Sequence, residues 1–92
     1  MTYYVDQIET PDGVFFTARN DTRTSDQIVQ DGITGFESGI NSKIYASLNE
    51  HQDAKIVHRM EVPEGKDRAN SIKKSLIEWA ESQGKFVLNE KK

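Results

Sequence analysis

The stretch Thr2–Arg19, TYYVDQIETPDGVFFTAR, predicts the first part of the fold. Both of its halves are rich in aromatic and β-branched residues, which favour strands. Between them, Thr10–Gly13 is typical of a tight turn, because its proline presets φ and its glycine tolerates positive φ. We therefore predict a β-hairpin with strands over residues 2–8 and 14–19.

Two short helices are predicted to follow the hairpin. Thr24 or Ser25 is a suitable N-cap for the first helix, and Asp26 suits its first turn. The second helix is expected after Ser42. The apolar residues recur at helical spacing and are Ile28, Val29, Ile33 and Phe36 in the first helix and Ile44, Tyr45 and Leu48 in the second. We expect Gly32, Gly35 and Gly39 to allow close helix packing or to end the first helix.

The second half predicts a strand, a long helix and a short final strand. Residues 54–62 form the strand, and parity alone places Ile56, His58, Met60 and Val62 on one face. Asp67 or Asn70 is a candidate cap for the helix, which is expected to end near Gln83, before Gly84 at C′. Its buried stripe is predicted to contain Ala69, Ile72, Leu76, Trp79 and Ala80. With a last strand over 85–89, residues 1–92 are predicted to form a single α+β domain of order ββααβαβ, with a mixed or antiparallel sheet packed by helices.

The composition is that of a small globular domain in a reducing compartment. The 92 residues are 35% hydrophobic and 29% charged, and they contain no cysteine. No apolar run approaches the roughly 20 residues that cross a membrane, and the N-terminus lacks the pattern of a secretory signal. We expect a cytoplasmic protein that has no membrane partner and needs no cofactor.

Charge is divided unevenly along the chain. Residues 1–54 carry nine acids and three bases, whereas residues 55–92 carry six acids and nine bases. The formal net charge of −3 hides this polarity. Such a distribution is informative about partners rather than about the fold.

Residue patterns typical of catalytic or metal sites are missing from the sequence. His51 and His58 are seven residues apart, no H-E-x-x-H motif occurs, and no cysteine is present. We interpret His51 as a solvated loop residue and His58 as a strand residue, and we predict neither a metal site nor an enzyme. The basic set Lys66, Arg68, Lys73 and Lys74 is interpreted as a solvated helix face, with phosphate contact as the alternative.

Two short motifs resemble those of GIY-YIG nuclease domains. Thr2-Tyr3-Tyr4 corresponds to the first motif and Phe15-Phe16-Thr17 to the second, and Asn89 lies near the end of the chain. Both motif glycines are missing, and Phe15 lacks the hydroxyl of the second motif's tyrosine. Glu78 and Glu81 lie on the last helix, where the family carries a metal-binding glutamate. The resemblance implies a catalytically inactive nucleic-acid-binding domain.

As a whole, the chain also resembles the Arn family of small anti-restriction proteins of T-even bacteriophages. That resemblance implies a DNA mimic, acting as a homodimer in the host cell, that blocks a host restriction endonuclease of the McrBC type without binding nucleic acid. A mimic needs carboxylates where phosphates would lie. The candidate partner-binding acids are Asp21, Asp26, Asp31, Glu37, Glu50 and Asp53. An acidic solvated surface without this role is the alternative that the charge pattern alone favours.

Overall fold

A computed structural model of the chain describes residues 1–37 and 42–89. Three strands and three helices occur there in the order ββααβα, which confirms the predicted α+β class. Predictions for the side chains at 35 and 36, and for Gly39, lie outside the described residues. The elements are β1 (Tyr3–Thr10), β2 (Gly13–Arg19), α1 (Ser25–Glu37), α2 (Ser42–Glu50), β3 (Lys55–Val62) and α3 (Lys66–Ser82).

An antiparallel sheet of order β2-β1-β3 forms the middle layer, with helices on both faces. Successive residues of a strand point to opposite faces, so Val5 and Ile8 belong to different faces. On Val5's face, the core includes Val62 and Ala69 and is covered by α3. On the other face, the core is covered by α1 and α2 and contains Ile8, Phe15, Ile28, Val29, Ile44 and Leu48.

A register shift in β3 overturns the predicted single apolar face of that strand. His58 pairs with Gln7 but Ile56 pairs with Ile8, so Val57 is an extra residue on β3. One extra residue reverses the side-chain alternation. Met60 therefore packs towards α3, whereas Ile56 packs against the core under α1 and α2. Parity counting cannot anticipate a bulge, which explains the error.

Helix α1 begins with a capping box. The Thr24 hydroxyl accepts a hydrogen bond from the Gln27 backbone N–H at 3.2 Å, and the Gln27 side chain accepts one from the Thr24 N–H at 2.9 Å. Two backbone donors that the helix leaves unpaired are thereby satisfied. Thr24 is therefore the N-cap. It is one of the two residues, Thr24 and Ser25, that the sequence predicts for this position.

The two ends of α3 differ from each other. Gly65 is its N-cap and makes no side-chain hydrogen bond, so the predicted caps Asp67 and Asn70 lie inside the helix. The C-terminal end follows the prediction. Gly84, with φ of 78°, donates to the Glu81 carbonyl, and Lys85 donates to the Ala80 carbonyl. These two bonds form a Schellman motif, which ends the helix.

Trp79 is the residue of the predicted α3 stripe that lies outside the core. Trp79 is 47% exposed, whereas Ala69 and Ala80 are fully buried. Ile77, rather than Trp79, packs against the core. At 100° per residue, Trp79 lies about 80° from Ala69, on the flank of the stripe. The Lys85 ammonium lies 5.9 Å from the Trp79 ring centroid.

The predicted last strand is reduced to one parallel bridge between Val14 and Val87. Val14 donates to the Phe86 carbonyl at 2.9 Å and accepts from the Leu88 N–H at 2.8 Å. The Asn89 side chain then accepts from the Phe16 N–H and donates to the Phe16 carbonyl. The Asn89 side-chain amide thus takes the place of the next backbone group that would pair with β2. The backbone hydrogen bonds between the C-terminal segment and β2 end at this point.

The two helices of the α1–α2 side approach each other closely at Gly32. A Cβ at this position would clash with the Leu48 side chain. This confirms that Gly32 serves close helix packing. Within the described ranges, no helix combines the length and apolar character needed to cross a membrane.

Candidate functional site

The sheet separates the charges of the chain into two layers. We call residues 20–37 and 42–53, which include α1 and α2, the acidic layer; they carry six acids and two bases. Helix α3, on the opposite face, carries four bases and three acids. The uneven charge of the sequence is therefore partly a difference between the two faces of the sheet, although Arg59 lies on the same face as the acidic layer.

Two of the six candidate acids take part in ion pairs within the layer. Asp31 lies 3.0 Å from the Arg23 guanidinium and 3.4 Å from that of Arg19. Asp21 lies 3.2 Å from the Arg23 Nε. The carboxylate of Asp31 is about one-third exposed and that of Asp21 about one-half. Asp31 therefore fixes α1 to the end of β2, and both carboxylates are partly neutralised.

A buried carboxylate anchors this network to the sheet. Asp6 is 1% exposed and accepts two hydrogen bonds from Arg59, at 2.6 and 3.0 Å. The hydrogen bond to Asp6 raises the pKa of Arg59 above its ordinary value, and desolvation of the guanidinium opposes this rise. Arg59 also donates to the Arg23 carbonyl oxygen, which holds the segment before α1 against the sheet.

Asp26, Glu50 and Asp53 are exposed candidate acids outside this ion-pair network. Within the described part of the chain, none of them forms an ion pair with a Lys or Arg. Ser25 accepts a hydrogen bond from the Ile56 N–H at 3.1 Å, which brings the start of α1 to the start of β3. Asp26 and Asp53 therefore belong to the same corner of the layer, while the side chain of Glu37 lies outside the described part.

A cluster that the sequence analysis missed joins the hairpin turn to the end of α2. Ligand atoms of Asp12, Glu50 and His51 all lie within 4.8 Å of one another. The His51 Nε2 is 3.5 Å from an Asp12 carboxylate oxygen. Asp12 is 38 positions before Glu50, so no local motif signals the cluster. The interpretation of His51 as a solvated loop residue did not include this neighbour.

Phe86 forms an exposed apolar spot beside the cluster. Its ring is 61% exposed, and the Lys43 ammonium lies 6.0 Å from its centroid. Gly13 makes room for the adjoining backbone, because a Cβ there would clash with the Phe86 carbonyl. Phe15 and Phe16, in contrast, are fully buried.

Residues that carry the GIY-YIG resemblance do not meet in one place. Tyr4 and Phe15 lie on the sheet face that the acidic layer covers, and Phe15 is buried in the core there. Glu78 and Glu81 are exposed on α3, across the sheet. Asn89 is bound to the Phe16 backbone. The residues that carry this resemblance therefore lie on both sides of the sheet.

Comparison with protein-family models found no match, and searches of curated proteins and of solved structures likewise found none at a significant level. Inferences about function therefore depend on the residues and charges of this chain.

Proposed function

We propose that the protein is a DNA mimic that blocks a host DNA-binding protein, such as a modification-dependent restriction endonuclease. The carrying observation is the acidic layer, whose exposed carboxylates Asp26, Glu50 and Asp53 have no Lys or Arg partner in the described part of the chain. Such carboxylates offer their charge to a basic DNA-binding groove. The Arg23 charge, in contrast, is already engaged by Asp21 and Asp31.

A homodimer is part of this proposal because one copy carries too little charge. The longest dimension of the molecule is 35 Å. Duplex DNA of that length carries about 20 phosphate charges, at one per about 1.7 Å of axis. The acidic layer of one copy supplies six acids. A two-fold pair would double the charge and match the pseudo-two-fold form of a duplex.

A displacement assay tests the proposal. Fluorescently labelled duplex DNA is first bound to a purified McrBC-type restriction endonuclease. The proposed mimic is then added, and fluorescence anisotropy measures how much DNA it displaces. We expect displacement that weakens as salt is added, because contacts between exposed charges are screened. The variant Asp26→Lys/Asp53→Lys should displace DNA about tenfold less well, since like charges then meet across the interface.

The matched control moves the same charge change to the other layer. Asp67→Lys/Glu78→Lys alters two exposed acids of α3 and, like the first variant, shifts the net charge from −3 to +1. This control variant should displace DNA within about twofold of the unmodified protein, apart from a general effect of the changed net charge. Equal losses in the two variants, or no displacement by the unmodified protein, would contradict the proposal.

The alternative nucleic-acid-binding domain gives the opposite result in a gel-shift at low salt. A mimic should leave duplex DNA unshifted, because its acidic layer repels phosphates. Binding through Lys66, Lys73 and Lys74 of α3 would shift it, and would weaken when these lysines are replaced by glutamine. A shift of duplex DNA by the unmodified protein would favour this alternative.

A further inference from the structure

We propose that Asp12, Glu50 and His51 form a binding site for a divalent transition-metal ion of the zinc class. The three side chains come from two separate parts of the chain, the β1–β2 turn and the end of α2. Each offers one ligand atom, and these atoms lie within 4.8 Å of one another. The site shares Glu50 with the acidic layer, but it does not use Asp26 or Asp53, which test the mimicry.

The geometry of the imidazole and the first carboxylate fits a shared ion. Zinc binds histidine nitrogen and carboxylate oxygen at about 2.0–2.2 Å, so two of its tetrahedral ligands are about 3.3–3.5 Å apart. The His51 Nε2 and the Asp12 Oδ2 are separated by 3.5 Å. That distance is long for a hydrogen bond between them, but it suits two ligands of one ion.

Both halves of the site are held in place by hydrogen bonds. The hydroxyls of Thr10 and Ser47 share one of 2.7 Å, which joins the end of β1 to α2. The Asp12 N–H donates to the Thr10 hydroxyl at 3.1 Å, and the His51 N–H donates to the Ser47 carbonyl at 2.9 Å. These hydrogen bonds connect the two parts of the chain that carry the three ligands.

The donor set selects the class of ion. One imidazole with two carboxylates suits zinc and its neighbours better than magnesium or calcium, which prefer oxygen ligands alone. Asp12 and Glu50 also line an open surface depression of about 430 Å³, which they share with Lys43. The carbonyl end of α2 adds a favourable negative field near His51. Three protein ligands and water would complete a tetrahedral site.

Zinc chloride binding to the tag-free protein, followed by isothermal titration calorimetry at pH 7.5, tests this site. We expect one ion per chain. His51→Ala and Glu50→Gln should each weaken zinc affinity by about tenfold or more. Changes to residues that only hydrogen-bond to a metal ligand already lower metal affinity by about tenfold or more. Zinc should also raise the melting temperature of the unmodified protein, since the ion links the hairpin to α2.

His58→Ala is the matched control, because His58 is the only other histidine and is exposed on β3. It should bind zinc like the unmodified protein. Circular dichroism spectra of the three variants establish that each is folded. Absence of binding at 100-fold excess zinc, or equal binding by the unmodified protein and folded His51→Ala, would overturn the proposal.

Discussion

The ion pair between Asp6 and Arg59 is expected to contribute strongly to stability through single side chains. Asp6 is 1% exposed, and its two hydrogen bonds from Arg59 compensate for the loss of water. Replacing Arg59 by methionine keeps the apolar stem but leaves a buried carboxylate without its partner. We expect the free energy of unfolding to fall by about 3 kcal/mol, measured by urea denaturation.

The double variant Asp6→Asn/Arg59→Met separates the buried charge from the packing. It should recover part of the loss, because an amide costs less to bury than an unpaired carboxylate. If the double variant is less stable than Arg59→Met, the buried charge is not the cause. Sequence reasoning found β1 but not this pair, because 53 positions separate the two residues and neither has a local signal.

Two glycines, one inside a helix and one just after a helix, allow steric clash and backbone strain to be measured separately. Gly32→Ala places a methyl group against the end of the buried Leu48 side chain, and the net cost should be about 1 kcal/mol, because the better helix propensity of alanine offsets part of the clash. Combining it with Leu48→Ala should cost less than the sum of the two changes, because the clash is removed. Additive effects in thermal unfolding would show that α1 and α2 are not in close contact here.

Gly84 represents the opposite case. A Cβ at this position would have no atom within 4 Å, but φ is 78°. Gly84→Ala should therefore cost about 1–2 kcal/mol through backbone strain alone. Gly84→Asn should cost less, since asparagine tolerates this conformation better. Equal losses for alanine and asparagine, measured in the same denaturation experiments, would contradict this explanation.

Elements were predictable where the deciding signal is local. The turn at Pro11, the cap at Thr24 and the glycine after α3 each act on neighbouring backbone groups, and all three appear as predicted. The bulge at Val57 and the exposure of Trp79 depend on what packs against the element. A pattern within one segment contains no information about that partner.

At the scale of the molecule, the C-terminal segment is expected to stabilise the hairpin. Asn89→Ala removes both hydrogen bonds to Phe16. We expect the free energy of unfolding to fall by about 1–3 kcal/mol, since each of the two hydrogen bonds contributes about 0.5–1.5 kcal/mol. Asn70→Ala, an exposed amide on α3, is the control and should change stability by less than about 0.5 kcal/mol. Similar losses in both variants would show that Asn89 has no special role.

The sequence predicts that charge is uneven, but the two layers arise only from the topology. Because α3 crosses to the other face after β3, its four basic residues are separated from the acidic layer, whereas Arg59 and Lys85 pair with the first-half acids Asp6 and Glu9. The sequence therefore predicts that the candidate site is acidic, but it does not predict which side chains contact one another there. Asp21 and Asp31 engage arginines, and His51 meets Asp12, through contacts that no local pattern signals.

The side-chain amide of Asn89 has a consequence for assembly. It occupies the outer edge of β2 at Phe16, next to the bridge at Val14, so an incoming strand meets an obstacle there. The outer edge of β3 has no strand beside it in the described part of the chain. Strand addition is thus less hindered at β3 than at β2, so two copies that joined through β3 would leave the partly covered β2 edges on the outside.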